Sequence, residues 1–379
     1  TAYPAGKHTF TRVVIGGEPR PGLKARKMGT YQGEKTEKGK VVPVAYDVIE
    51  YTLELDMPDA SARSFAAAEQ AARDLTYSPG QQFASDTLFE VPPDRLTGAT
   101  PHAGAFDPAT VDLGAFRPAG VSRLFVLGPA ADLSADAARS FLKPDHSFAV
   151  GRRVGKAAAD EAKGLPAGGP AKTVVGLTAP ASGDAAPGDV REVLGGVRPT
   201  HAKHATVASP ARPLPVLGTY DVVVIGGGTS GAPAGVGAAR QGAKTLVCEY
   251  QYGLGGVGTL GAISSYWYGN RVGFTAEVMG GQGKWAIEDK MEWLRVALRQ
   301  ANADVWFGTL GCGAVVKDGK VIGAVVATPT GRGVVLAPVV IDSTGAADIA
   351  ATAGAQTVYI DAADIAMQGT GLPPRKLGG

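Results

Sequence analysis

The stretch Tyr220–Glu249, YDVVVIGGGTSGAPAGVGAARQGAKTLVCE, decides the fold. Val222, Val223, Val224 and Ile225 form an unbroken β-branched run, as expected of a strand buried on both faces of a parallel sheet. The run stops at Gly226, and Gly226, Gly228 and Gly231 spell G-x-G-x-x-G where the strand should turn into a helix. The first glycine permits the tight turn, the second lets backbone approach a pyrophosphate, and the third lets the helix pack closely on the strand. Ala232–Gln241 reads as a small-residue helix ended by Gly242. Its first N–H groups, with Thr229 and Ser230 beside them, would face the phosphates, where unsatisfied donors and the helix dipole both favour negative charge. Lys244–Cys248 gives a second strand. Glu249 closes it about 20 residues beyond the glycines, where a carboxylate accepts the ribose hydroxyls of an adenosine and repels a 2′-phosphate. These residues predict dinucleotide binding without separating FAD from NAD.

Length and composition set the frame around this stretch. A chain of 379 residues has room for two domains, and 45% hydrophobic with 19% charged residues is a globular balance. The formal net charge of +2 creates no strong field, and no basic face with interleaved aromatics is present, so nucleic acid is not an expected partner. No run approaches the roughly 18 apolar residues of a membrane helix, so no membrane partner is expected either. Cys248 and Cys312 are the only cysteines, which excludes a disulfide scaffold and suits small buried hydrophobes. His102 and His146 are isolated, and His201 and His204 lack a third ligand, so no metal is expected. The first residues, TAYPAGKHTF, contain no signal-peptide core. The compartment stays open, with the cytoplasm slightly favoured.

Upstream, residues 1–165 read as an α+β region. The first forty residues, basic and rich in glycine and proline, predict a solvated arm. Val41–Met57 alternates as strand, with Val48, Tyr51, Leu53 and Leu55 as candidate buried positions. Ser61–Leu75 has helical spacing, with Ser61 as its cap. Val121–Gly128 reads as a short buried strand and Ala149–Ala162 as a small-residue helix. Residues 166–217, dominated by Ala, Gly, Pro, Thr and Ser, read as a linker. Residues 218–379 form the nucleotide-binding unit. Within it, Trp285–Gln300 is an amphipathic helix with Ile287, Met291, Leu294 and Leu298 on one side, and Ala303–Phe307 is a strand. Val315–Ala327 is a hairpin turning at Asp318-Gly319, and Gly333–Val340 is a further strand.

After Glu249 come Gly255-Gly256 and Thr259, and farther on IDSTGAADIAATAGA from Ile341. With these the chain resembles the FAD-dependent oxidoreductases of the glutathione-reductase-like superfamily, bacterial members above all, some of them xanthan lyase-like. The resemblance implies an α/β Rossmann-like FAD-binding domain with a parallel sheet and a β-meander or hairpin insertion. It implies FAD as the cofactor, with the Gly255-Gly256 doublet beside the pyrophosphate. Ser343-Thr344-Gly345 stands for the family's A-T-G, and Asp348 falls near the ribityl and pyrophosphate portion. Gly311 falls near adenine. Val121–Ala162 resembles the segment that closes the FAD domain, although Gly151–Gly155 replaces the usual G-Q-A-A-G and precedes the glycine motif. A permuted arrangement and an incomplete or processed chain both explain this order, and the second is the expectation.

The implied activity is transfer of a hydride from an organic, carbohydrate-derived substrate to flavin N5. The alternative is a non-catalytic flavin- or nucleotide-binding subunit. Catalytic candidates are Tyr266, Tyr268, Asn270 and Arg271, which follow the flavin-adjacent loop. A small-molecule substrate is the expected partner, with a homo-oligomer or second chain completing the fold.

Overall fold

A computed structural model describes residues 3–37, 40–85, 95–165, 188–192, 194, 213–266, 271–279 and 283–358. The N-terminal unit contains strands β1 (Gly6–Gly16), β2 (Lys24–Glu37) and β3 (Lys40–Met57), helix α1 (Ala62–Thr76) and strand β4 (Gln81–Ala84). Its antiparallel sheet has the order β2-β3-β1-β4. Along β1 every second residue from Phe10 to Gly16 is buried, and β3 buries Ile49, Tyr51, Leu53, Leu55 and Met57. This is the period-2 signature of a sheet with one covered face. Ser61 caps α1 by accepting a hydrogen bond from the Ser64 N–H at 3.1 Å.

Two expectations for this half are corrected. The basic N-terminal residues are not a solvated arm, because Lys24–Glu37 pairs along β3 from Lys24 opposite Thr52 to Glu37 opposite Lys40. A backbone ladder needs no apolar side chains, and an outer strand exposes its lysines to water. Val121–Gly128 is not a strand. It runs as an irregular loop with Val121, Leu124 and Leu127 exposed, held by an Arg117 guanidinium 3.9 Å from the Phe125 ring centroid. Helices α2 (Ala135–Phe141) and α3 (Pro144–Lys163) follow. The buried Val150 and Val154 of α3 join Val111, Phe116, Leu133 and Phe141 in a separate small core. The helix resembling the closing segment thus packs there and contributes to none of the cores of the nucleotide-binding unit.

That unit comprises β5 (Asp189–Arg191), β6 (Val216–Thr219), β7 (Val222–Ile225), α4 (Gly231–Arg240), β8 (Thr245–Cys248), α5 (Phe274–Glu277) and α6 (Ile287–Gln300). It continues through β9 (Asp304–Trp306), β10 (Leu310–Lys317), β11 (Lys320–Thr328), β12 (Gly331–Leu336), β13 (Val339–Asp342) and α7 (Asp348–Ala353). Strands β13-β7-β8-β9 form an all-parallel sheet, and β5-β10-β11-β12-β6 form a second sheet dominated by antiparallel pairs. One face of the parallel sheet presents Val223, Ile225, Leu246 and Cys248 to the meander residues Ala314, Val316, Ala324 and Val326. The other presents Val224 and Val247 to Val236 of α4 and Leu294 and Leu298 of α6. The result is a three-layer α/β unit of Rossmann-like form, with helices, parallel sheet and antiparallel sheet stacked in that order. The hairpin turns at Asp318-Gly319 with φ of 49° and 73°, the left-handed pair that a two-residue turn demands.

Helix α1 joins the two halves. Its Ala66 belongs to the nucleotide-binding core, while Ala68 and Ala72 belong to the N-terminal one. The polar side of α6 meets the same junction, so Glu288, Glu292 and Arg295 are buried there. Gln81 donates to the Glu288 carboxylate at 2.5 Å. Burial pushes the Glu288 carboxyl up to about 7; the hydrogen bond from Gln81 opposes this and the nearby Glu292 charge adds to it. Between its ordinary value near 4.5 and about 7, the folded chain holds a proton that the unfolded chain has released. The stabilisation is therefore complete below the lower value and lost as pH rises through the upper one. Urea unfolding at pH 5 and pH 8 should show the wild type losing on the order of 2 kcal/mol more than Glu288→Gln across that interval. Equal losses in the two proteins would contradict the assignment.

Candidate functional site

Because β13, β7 and β8 run parallel, their carboxyl ends converge, and each delivers a polar segment to one edge of the sheet. Gly226 follows β7, Glu249 follows β8, and Ser343-Thr344-Gly345 follows β13. A crevice beyond the carboxyl ends of parallel strands is where open α/β sheets bind ligands.

The three glycines of the first motif differ in what demands them. Gly226 has φ +96°, and a side chain there would strike the backbone of Ser343. At Gly231 a Cβ would collide with the Gly226 carbonyl oxygen. Gly228 is different, since a Cβ there would meet no further protein atom within 4 Å. The chain itself does not require glycine at 228; a ligand drawn against the backbone would. The N–H groups of Gly228, Thr229 and Ser230 find no acceptor among the described residues and lie at the start of α4. That leaves three adjacent donors where the helix dipole is positive.

The neighbouring loops shape this cradle. The Gly255 N–H donates to the Gly227 carbonyl at 2.9 Å, and the Thr229 hydroxyl donates to the Gly255 carbonyl at 3.1 Å. Gly256, at φ +57°, lies so close that a Cβ would be 3.1 Å from the Gly228 Cα. Thr259 is fully buried and donates to the Leu254 carbonyl at 2.6 Å, so its hydroxyl is used in forming this loop. The Ser230 and Ser343 hydroxyl oxygens are 2.8 Å apart, which brings the two glycine-bearing turns together.

Glu249 is buried, and its carboxylate accepts from the Gly227 N–H at 2.7 Å and the Gln251 N–H at 2.9 Å. Burial pushes its pKa upward while these backbone donors pull it down. The Thr309 N–H donates to the Glu249 carbonyl at 3.0 Å, which brings the start of β10 alongside the acid. Gly311 in β10 packs on Ile225, where a Cβ would collide with that side chain. At the other end of the cradle, Thr344 donates its N–H and hydroxyl to one Asp342 oxygen at 3.0 and 2.7 Å, and Ala350 donates to the second at 2.8 Å. The Thr344 hydroxyl also accepts from the Asp348 N–H at 3.1 Å, and Gly345 takes φ +85°. Asp342 was not among the expected site residues, although Asp-Ser-Thr at a strand end is a recognisable turn-forming sequence.

Of the catalytic candidates, Tyr266 packs against Trp285 with ring centroids 4.8 Å apart and planes tilted by 58°, and the Arg271 guanidinium lies 6.0 Å from the Tyr266 ring centroid. Tyr268 and Asn270 lie outside the described residues, as do His201 and His204. A cavity of about 270 Å³ adjoins the cradle, sharing Thr229 and Gly255 with it, and Val257, Tyr266, Trp285 and Lys290 contribute to its walls. Lys290 was hidden in the sequence among the charges of an amphipathic helix.

Among the described residues no helix is long and apolar enough to cross a membrane, and no cluster of His, Cys, Asp or Glu is arranged to hold a metal ion. No curated protein matches the chain. Solved structures similar to part of it include a geranylgeranyl bacteriochlorophyll reductase-like protein from Thermoplasma acidophilum, at 24% identity over 38% of this chain and 44% of that one, with a TM-score of 0.30. THI4 from Thermovibrio ammonificans matches at 22% identity over 35% of this chain and 61% of its own, with a TM-score of 0.31. A 3-ketosteroid dehydrogenase from Rhodococcus jostii matches at 17% identity over 38% and 48%, with a TM-score of 0.29. The chain thus spans less than two thirds of the length of each of these structures. Over residues 221–371 the chain is similar to the family described as FAD dependent oxidoreductase.

Proposed function

We propose that the chain is an FAD-dependent oxidoreductase that passes a hydride from an organic substrate to its flavin. The observation that carries this reading is the set of three amides at Gly228, Thr229 and Ser230 that find no acceptor among the described residues, with the buried Glu249 carboxylate bonded to the neighbouring Gly227 and a cavity beside Thr229. Bound FAD supplies the chemistry by accepting the hydride at N5. The residues do the holding. Gly228–Ser230 and the α4 dipole take the diphosphate. The Glu249 carboxylate, kept in place by Gly227 and Gln251, retains lone pairs for the ribose hydroxyls. The turn braced by Asp342 would offer Thr344, Gly345 and Asp348 to the remainder of the cofactor. The largely apolar walls around Tyr266 and Trp285 keep water from the reacting groups. The resemblance to glutathione-reductase-like and xanthan lyase-like proteins adds a carbohydrate-derived substrate to this proposal.

The reading is tested by adding sugars, uronic acids and simple organic acids to the purified yellow protein without oxygen. At least one class should bleach the flavin bands. A flavin that dithionite bleaches but no substrate does would overturn catalysis and leave a flavin-binding subunit.

A further inference from the structure

Lys290 lies in the first turns of α6 and is 7% exposed. Its ammonium nitrogen is 3.5 Å from the Trp285 ring centroid and 4.9 Å from that of Tyr266. Ring faces attract a cation but accept few of its hydrogen bonds, so they fix the ammonium's position while leaving donors to spend. No carboxylate pairs with it among the described residues, and none lines the cavity that it enters. The side chains that do line the cavity are mostly apolar, including Val257, Ile263, Phe274 and Leu294. Its wall is well braced. The Trp285 indole N–H donates to the Gly258 carbonyl at 2.7 Å, and the Trp285 backbone N–H donates to the Ser264 carbonyl at 3.0 Å.

We infer that Lys290 is the anchor of a substrate site, binding the carboxylate of an organic acid whose body fills the cavity beside the flavin cradle. The proposal rests on the oxidoreductase reading for the word substrate, but not for the binding itself. One fixed positive charge in an apolar chamber matches a monoanion. A phosphate dianion would demand a second cation or a nest of amides at the same spot. Burial lowers the pKa of Lys290, which marks the charge as one held against desolvation. An anion seated there would relieve that penalty, whereas a neutral ligand of the same shape would leave it in place. Thr229 and Gly255 border both cradle and cavity, so an acid bound to Lys290 would lie next to the cofactor.

Benzoate and benzamide share shape and differ in charge, so they are suitable probes. Titration of the purified full chain, followed by tryptophan fluorescence and by calorimetry, should show benzoate binding at least about tenfold tighter than benzamide. Lys290→Met keeps the apolar stem, and it should abolish that preference without changing the thermal midpoint or the flavin bound per chain. Lys290→Arg should keep a preference for the acid. Equal binding of the two probes, undetectable binding of benzoate, or an undiminished preference in Lys290→Met would overturn the proposal. The two readings fail separately. A colourless protein with Lys290-dependent benzoate binding would remove the flavin and keep the anion site, whereas a flavin-replete protein indifferent to benzoate would do the reverse.

Discussion

Gly231→Ala should give a chain that retains less than about a tenth of the wild-type flavin and is destabilised by roughly 3 kcal/mol or more. The new methyl group is directed at the Gly226 carbonyl oxygen, a backbone atom with no rotamer to change. Relief requires α4 to move away from the turn. That movement separates the Gly228–Ser230 amides from Glu249 and from the Ser343 hydroxyl, which now lies 2.8 Å from Ser230. Gly237 provides the control in the same helix, because a Cβ there meets nothing within 4 Å. Gly237→Ala should keep full flavin and gain up to about 1 kcal/mol from helix propensity. The flavin-to-protein absorbance ratio and urea midpoint of both variants decide the matter. Full flavin in Gly231→Ala would show that the close approach of helix and turn is not needed.

The second large effect is expected at the junction of the two halves. Arg295 is 2% exposed, donates to Glu292 at 2.8 Å and Asp74 at 2.5 Å, and ties α6 to α1. Arg295→Met removes the cation from an already buried Glu292, so unfolding should become easier by about 3–5 kcal/mol. Most of that loss is the desolvation of the stranded carboxylate, so adding Glu292→Leu should restore a large part of it. A single variant within about 1 kcal/mol of wild type in urea would show that the junction is wetter or looser than its burial implies.

How much of this was legible in the sequence depends on whether a local signal controlled the outcome. Val222–Ile225, the glycine turn and Asp318-Gly319 are dictated by their own side chains or by the left-handed φ they require, and they fold as their residue types suggest. The N-terminal sheet was harder to read because β2 carries almost no apolar residues and is held by hydrogen bonds to β3. Arg12, 2% exposed in β1, also read as surface charge, yet it donates to Thr76 at 2.9 Å in the interior. Helix α6 misleads in the same way. Leu294 and Leu298 pack as the apolar stripe predicts, but Glu288, Lys290 and Arg295 are buried by partners that no spacing rule within the helix can see. The site shows the same division. Glycines that a tight turn or a close approach requires stand out in the sequence, whereas the aromatic support of Lys290 arises from a loop and a helix meeting in three dimensions.

The proposed seating of FAD, with its diphosphate on the amides of Gly228–Ser230 and its ribose on Glu249, can be checked by one measurement. The purified full chain is denatured and the released small molecule is identified by chromatography and mass. FAD should be released at close to one molecule per chain. A colourless protein that releases NAD or no nucleotide, and takes up no FAD when FAD is supplied, would contradict that seating.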